Sequence, residues 1–182
     1  ESFNGYMKVR KSSKKSKIGI SILSDALVVV RSERSGSGGF KVVETIKEQL
    51  PEGGINSAKF SKFLKETITT LGVSLKNSDV WTTIPSDSSI VRQIVIPKLA
   101  NDEIANAVYW TFKREADFDE KKYILDFELN GLTHDSGEEK LSVTVCLVPR
   151  IDVADRMTLF SRAGIKLTGI TLSIFASHNM LK

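Results

Sequence analysis

The sequence is poor in most of the features that mark a specialised chain. Its 182 residues include one cysteine, two histidines and four prolines. A lone cysteine, Cys146, cannot close an internal disulfide, which favours a reducing compartment over a secreted, disulfide-stapled scaffold. No apolar run nears the ~20 residues that cross a bilayer, and no apolar leader stands near the start. Walker-type, G-x-G-x-x-G and G-x-S-x-G motifs are all missing. His134 and His178 lie far apart, and neither has a cysteine or carboxylate at ligand spacing, so there is no metal signature. The glycine-rich stretch at 36–39 joins two strand-like segments rather than a strand and a helix. It lacks the helix N-terminus that would stabilise phosphate and reads as a hairpin turn.

What is present is an ordinary globular composition: 41% hydrophobic and 26% charged residues exclude a disordered or low-complexity chain. The net charge of +4 is unevenly placed. Residues 1–17 hold Lys8, Arg10, Lys11, Lys14, Lys15 and Lys17 against Glu1 alone, and lack periodic apolar positions. They are expected to form a flexible basic tail, either a solvated terminus or an arm that attracts anionic lipid or nucleic acid. The remainder carries 20 basic and 21 acidic residues and no basic stripe interleaved with aromatics, so nucleic acid is not an expected partner.

From Ile18 the chain alternates. Ile18, Ile20 and Ile22 flank Gly19 and Ser21, then Leu27–Val30 is continuously apolar and Phe40–Ile46 follows a second turn, so three successive strands form an antiparallel meander. Asn56 or Ser57 caps a helix whose stripe is Phe60, Phe63, Leu64, Ile68 and Leu71, stopped by Gly72. Val80–Ile84 is a buried strand ending at Pro85. A second unit then reads β-α-β-β-α-β. Its elements are a strand over 90–96, a helix capped by Asn101 or Asp102, and strands over 122–132 and 141–148. A helix from Asp152 to Gly164 and a strand over 165–172 complete it. A last helix starts at Phe175. The expected class is α/β (α+β), with a basic tail over 1–17, a first subdomain of 18–85 plus 173–182, and an inserted subdomain of 86–172.

The aromatics Tyr109, Trp110 and Phe112 cannot all face one side of a helix, because neighbours lie about 100° apart. At least one is expected on a partner-facing or inter-domain surface. Cys146, inside the strand pattern V-T-V-C-L-V, reads as a small buried hydrophobe.

The hairpin pattern I-G-I-S-I-L-S-D-A-L-V-V-V (Ile18–Val30) is similar to the first hairpin of actin-like proteins. The segment from Trp81 to Trp110, W-T-T-I-P-S-D-S-S-I-V-R-Q-I-V-I-P-K-L-A-N-D-E-I-A-N-A-V-Y-W, resembles the PilM family of type IV pilus assembly proteins, relatives of FtsA. Leu147–Arg150, Ala163–Ile165 and Ile170–Ala176 fit the same pattern, and the resemblance runs over nearly all of residues 17–182.

The resemblance implies an actin-like N-terminal subdomain with the β-α-β-β-α-β unit inserted into it. It also implies a cytoplasmic scaffold, peripheral to the bacterial inner membrane, that docks a short cytoplasmic peptide of a membrane partner such as PilN. The cytoplasmic domain of GspL in type II secretion is a related scaffold. Self-association, and membrane contact made indirectly or through the basic tail, belong to the same expectation. In the family the first hairpin turn contacts nucleotide phosphates and, through an aspartate, the metal. Here Ser21 stands in place of that aspartate and Leu23 in place of a glycine, with Ser24 and Asp25 completing the turn. Serine supplies no carboxylate to magnesium, and leucine places a bulky side chain where backbone must come close.

The expectation is therefore no enzyme and no cofactor in this chain. ATP and Mg²⁺ would act only if a second lobe follows, which is the rival reading: one lobe of an actin-like ATPase. The opening on Glu1 and the abrupt helical end are what an excised portion of a longer protein would show.

Overall fold

The structure, a computed structural model, describes residues 16–36, 39–135 and 137–180, with side chains to residue 176. Apart from Ser16 and Lys17, the expected basic tail lies outside the described residues.

Alternation in the first segment becomes the centre of a five-stranded sheet. Strand β1 (Ser16–Ile22) buries Ile18, Ile20 and Ile22 on one face and turns Gly19 and Ser21 to the other. It pairs antiparallel with β2 (Ala26–Arg34), which pairs antiparallel with β3 (Phe40–Gln49). On its other side β1 runs parallel to β4 (Ser78–Ile84), so a crossover is needed between β3 and β4. Helix α1 (Phe60–Thr69) supplies it, burying Phe60, Leu64, Thr67 and Ile68 against the isoleucines. Ser57 accepts the amide of Lys59 at 3.3 Å just before this helix, and Gly72, at φ 62°, ends the segment after it.

The second core forms on a three-stranded antiparallel sheet of β5 (Ile90–Pro97), β6 (Tyr123–Asp135) and β7 (Glu138–Pro149), in the order β5-β7-β6. Helix α2 (Ile104–Glu115) lays Ile104, Val108 and Phe112 onto Ile94, Ile96, Leu125, Val143, Val145 and Leu147. The β6–β7 hairpin is longer than its sequence suggests, because His134 and Asp135 still pair with Glu139 and Glu138. The turn falls at Gly137, whose φ of 85° suits glycine.

The expected second subdomain, 86–172, needs correction. Helix α3 (Arg150–Arg162) buries Phe160 in the first core, and strand β8 (Gly169–Leu172) pairs parallel with β4. The five-stranded order is thus β3-β2-β1-β4-β8. Thr168 secures the return, its amide donating to the Val80 carbonyl at 2.7 Å while its hydroxyl accepts the Val80 amide at 3.1 Å. The chain divides into residues 87–152, with a β-α-β-β core, and a unit holding 16–86 with 153–180. The reason is register: Ile170 and Leu172 fall opposite Thr82 and Ile84, where the first core lies, and the antiparallel sheet ends at Pro149. The last helix, α4 (Ser173–Met180), follows β8 directly.

Candidate functional site

Strands β1, β4 and β8 run in one direction, so their last residues, Ile22, Ile84 and Leu172, sit at the same end of the sheet. The first hairpin turn, the expected place for Ser21, Leu23, Ser24 and Asp25, lies there. Ser21 is the penultimate residue of β1 rather than part of the turn. Its Oγ accepts the Thr83 hydroxyl at 2.9 Å, and register places Thr171 beside Thr83 on β8. On the opposite face the Thr82 hydroxyl donates to the Ile20 carbonyl at 2.9 Å. Just beyond the strands the hydroxyls of Ser86 and Ser173 meet at 3.1 Å.

The turn satisfies its own backbone. The Leu23 amide donates to the Ala26 carbonyl at 2.8 Å, and the Leu50 amide donates to the Asp25 carbonyl at 2.9 Å. Leu23 itself is 47% exposed, and Ser24 and Asp25 are exposed beside it. An amide already bonded within the turn does not point at an anion. The structure therefore gathers Leu23, Ser24 and Asp25 as a closed turn, with Ser21 in β1 beside it and bonded to Thr83. Sequence reasoning missed Thr83, Thr171, Ser86 and Ser173. The available signal was a hydroxyl close to the end of two separate strands, followed by a serine just past it.

The three aromatics expected to face a partner have different fates. Phe112 needs correction, because it is fully buried, 5.9 Å from the Phe118 ring, and cannot reach another molecule. Trp110 is 57% exposed on the outer side of α2. Tyr109 lies between them, edge-on to Trp110 at 5.0 Å and to Phe118 at 6.2 Å. Its hydroxyl donates to Glu120, and that bond to a carboxylate, with some desolvation, pushes the phenol up to about 12. Lys113 closes the cluster, 4.5 Å above the Phe118 ring and 3.9 Å from Glu120.

Cys146 is buried in β7, and burial beside Asp126 pushes its thiol up to about 12, the opposite of an activated nucleophile. Burial likewise raises the Asp126 carboxyl. Among the described residues no three His, Cys, Asp or Glu side chains gather as a metal site would require, and no helix is long and apolar enough to cross a membrane.

No family model and no curated protein matches the sequence. Solved structures do match the fold. A chain of a PilM–PilN type IV pilus biogenesis complex superposes with a TM-score of 0.72 at 22% identity, over 91% of this chain and 49% of that one. The cytoplasmic domain of EpsL, an inner-membrane component of the type II secretion system of Vibrio cholerae, matches with a TM-score of 0.51 at 12% identity. That match covers 86% of this chain and 57% of the EpsL domain. The two-sheet α+β architecture is thus the PilM-like and EpsL-like fold expected from the sequence, and the chain spans about half the length of the proteins it matches.

Proposed function

We propose that the chain is a scaffold module of a type IV pilus or type II secretion-type assembly, which binds a short cytoplasmic peptide of an inner-membrane partner. The observation that carries this reading is the fold match, across 91% of the chain, to a chain from a complex that contains PilN. A PilN-like peptide is the partner it favours. Trp110, exposed and braced by Tyr109, is the side chain best suited to anchor such a peptide, since a large rigid aromatic loses little entropy on contact.

The chain on its own is proposed to hydrolyse no ATP and to need no cofactor. Support comes from the first hairpin, where the Leu23 amide is spent on Ala26 and Ser21, in β1, accepts from Thr83. Calorimetry with a PilN-like cytoplasmic peptide tests the scaffold reading. Micromolar binding, weakened at least tenfold by Trp110→Ala, is expected, and no heat at high micromolar peptide would overturn it. ATP with magnesium in the same instrument tests the rival: binding there would restore the nucleotide-lobe reading.

A further inference from the structure

The end of the five-stranded sheet opposite the hairpin turn is basic. Because β1, β4 and β8 are parallel, their first residues share this end, and the antiparallel register brings the end of β2 and the start of β3 to it. Lys17 stands there with its ammonium 4.1 Å above the Phe40 ring, and Arg34 lies 5.7 Å from the same ring. Lys41 pairs in register with Glu33 one step into β3. Lys76 occupies the short turn just before β4, and Lys166 the loop just before β8. Arg162 ends α3 at the same side. Six basic residues from five separate stretches of chain thus converge at this end, where Glu33 is paired with Arg31 and Asp79 is buried.

The geometry points to this end of the sheet as a docking surface for an anionic lipid bilayer. Two features favour lipid over nucleic acid. The cations are mostly lysines, compact charges on long stems that adapt to a mobile headgroup layer rather than forking onto a fixed phosphate. Among the described residues, the ring that its cation contacts place at this end, Phe40, is covered by Lys17 and Arg34 rather than left open for base stacking. Contact of this kind needs no partner peptide, so a chain that failed to bind PilN-like peptides would still be expected to bind vesicles.

Vesicle flotation with the full chain tests the assignment. Phosphatidylcholine vesicles are compared with vesicles that also contain phosphatidylserine, at low and high salt. The wild-type chain is expected to float only with the anionic vesicles and only at low salt, since such attraction is screened within about 10 Å at 0.1 M salt. Each lysine near an anionic surface strengthens partition by roughly fivefold. The triple reversal Lys41→Glu, Lys76→Glu and Lys166→Glu, which leaves residues 1–17 intact, is therefore expected to weaken flotation by more than tenfold while circular dichroism stays unchanged. Three results would each overturn the proposal. These are a wild type that stays with the soluble fraction, a triple variant that floats as well as wild type, and duplex DNA that competes with the anionic vesicles at equal phosphate concentration.

Discussion

The indole of Trp81 lies so close over Gly169 that a Cβ built on the glycine would meet ring carbon Cζ3 at 2.3 Å. The two residues face each other in register on adjacent parallel strands, β4 and β8, on the face opposite α1 and α3. Any side chain at 169 must displace the ring or part the strands. Gly169→Ala is therefore expected to destabilise the chain by about 1–3 kcal/mol, the usual range for forcing a methyl into filled space. Urea unfolding measures it. In a Trp81→Leu background the same substitution should cost at least about 1 kcal/mol less, because the obstructing ring is gone. Equal costs in both backgrounds would show that the ring is not the obstacle.

Phe112 and Trp110 sit two residues apart on α2 and should respond oppositely to truncation. Phe112 is fully buried among Ile94, Val143 and Phe118, so Phe112→Ala is expected to cost about 3–5 kcal/mol. Trp110, 57% exposed, loses little packing, and Trp110→Ala should change stability by no more than about 0.5 kcal/mol. Urea denaturation of both variants decides the matter. Comparable losses would mean that Trp110 is covered rather than presented.

That contrast also shows how far the residues alone could lead. Alternation identified β1, and helical spacing identified the stripes of α1 and α2, because each pattern is a local consequence of one buried face. The argument that Tyr109, Trp110 and Phe112 could not share a face was sound, but periodicity does not say which residue points inward. Tertiary packing against Ile94 and Val143 made that choice. The destination of β8 was not legible either. Gly169–Leu172 reads as one more strand after α3, and nothing local distinguishes pairing with β4, some 88 residues earlier, from pairing with the nearer β7. The hydroxyls of Thr83 and Thr171 became neighbours only through that long-range register.

The Tyr109 phenol offers a titration that reports on its tether. Its hydrogen bond to Glu120 favours the neutral form and raises the folded value to about 12, against about 10 in an unfolded chain. A group raised in the folded state contributes stability below the unfolded value, and that contribution is lost as pH rises from 10 through 12. Absorbance at 295 nm should therefore show one tyrosine ionising late. Glu120→Gln should bring it back towards 10 and flatten the corresponding part of the stability profile relative to wild type. An unchanged titration in the variant would remove Glu120 as the cause.

Cys146, on the face of β7 opposite the second core, provides a probe of the three-stranded sheet that needs no mutation. Burial beside Asp126 raises its thiol from 9.0 to about 12, so the folded chain at pH 8 holds roughly a thousandfold less thiolate than the unfolded chain. Only the thiolate attacks a disulfide reagent, and the side chain is 6% exposed. Labelling in native buffer should consequently follow opening of the β5-β7-β6 sheet rather than the chemistry of the reagent, and become fast and stoichiometric in urea. The shift also carries a stability term that is complete below about pH 8.5 and fades as pH climbs through 12. Phe112→Ala, which loosens the core on the other face of that sheet, should accelerate native labelling in proportion to its loss of stability. Fast labelling of the folded wild type at pH 8 would show instead that β7 is open to solvent at Cys146.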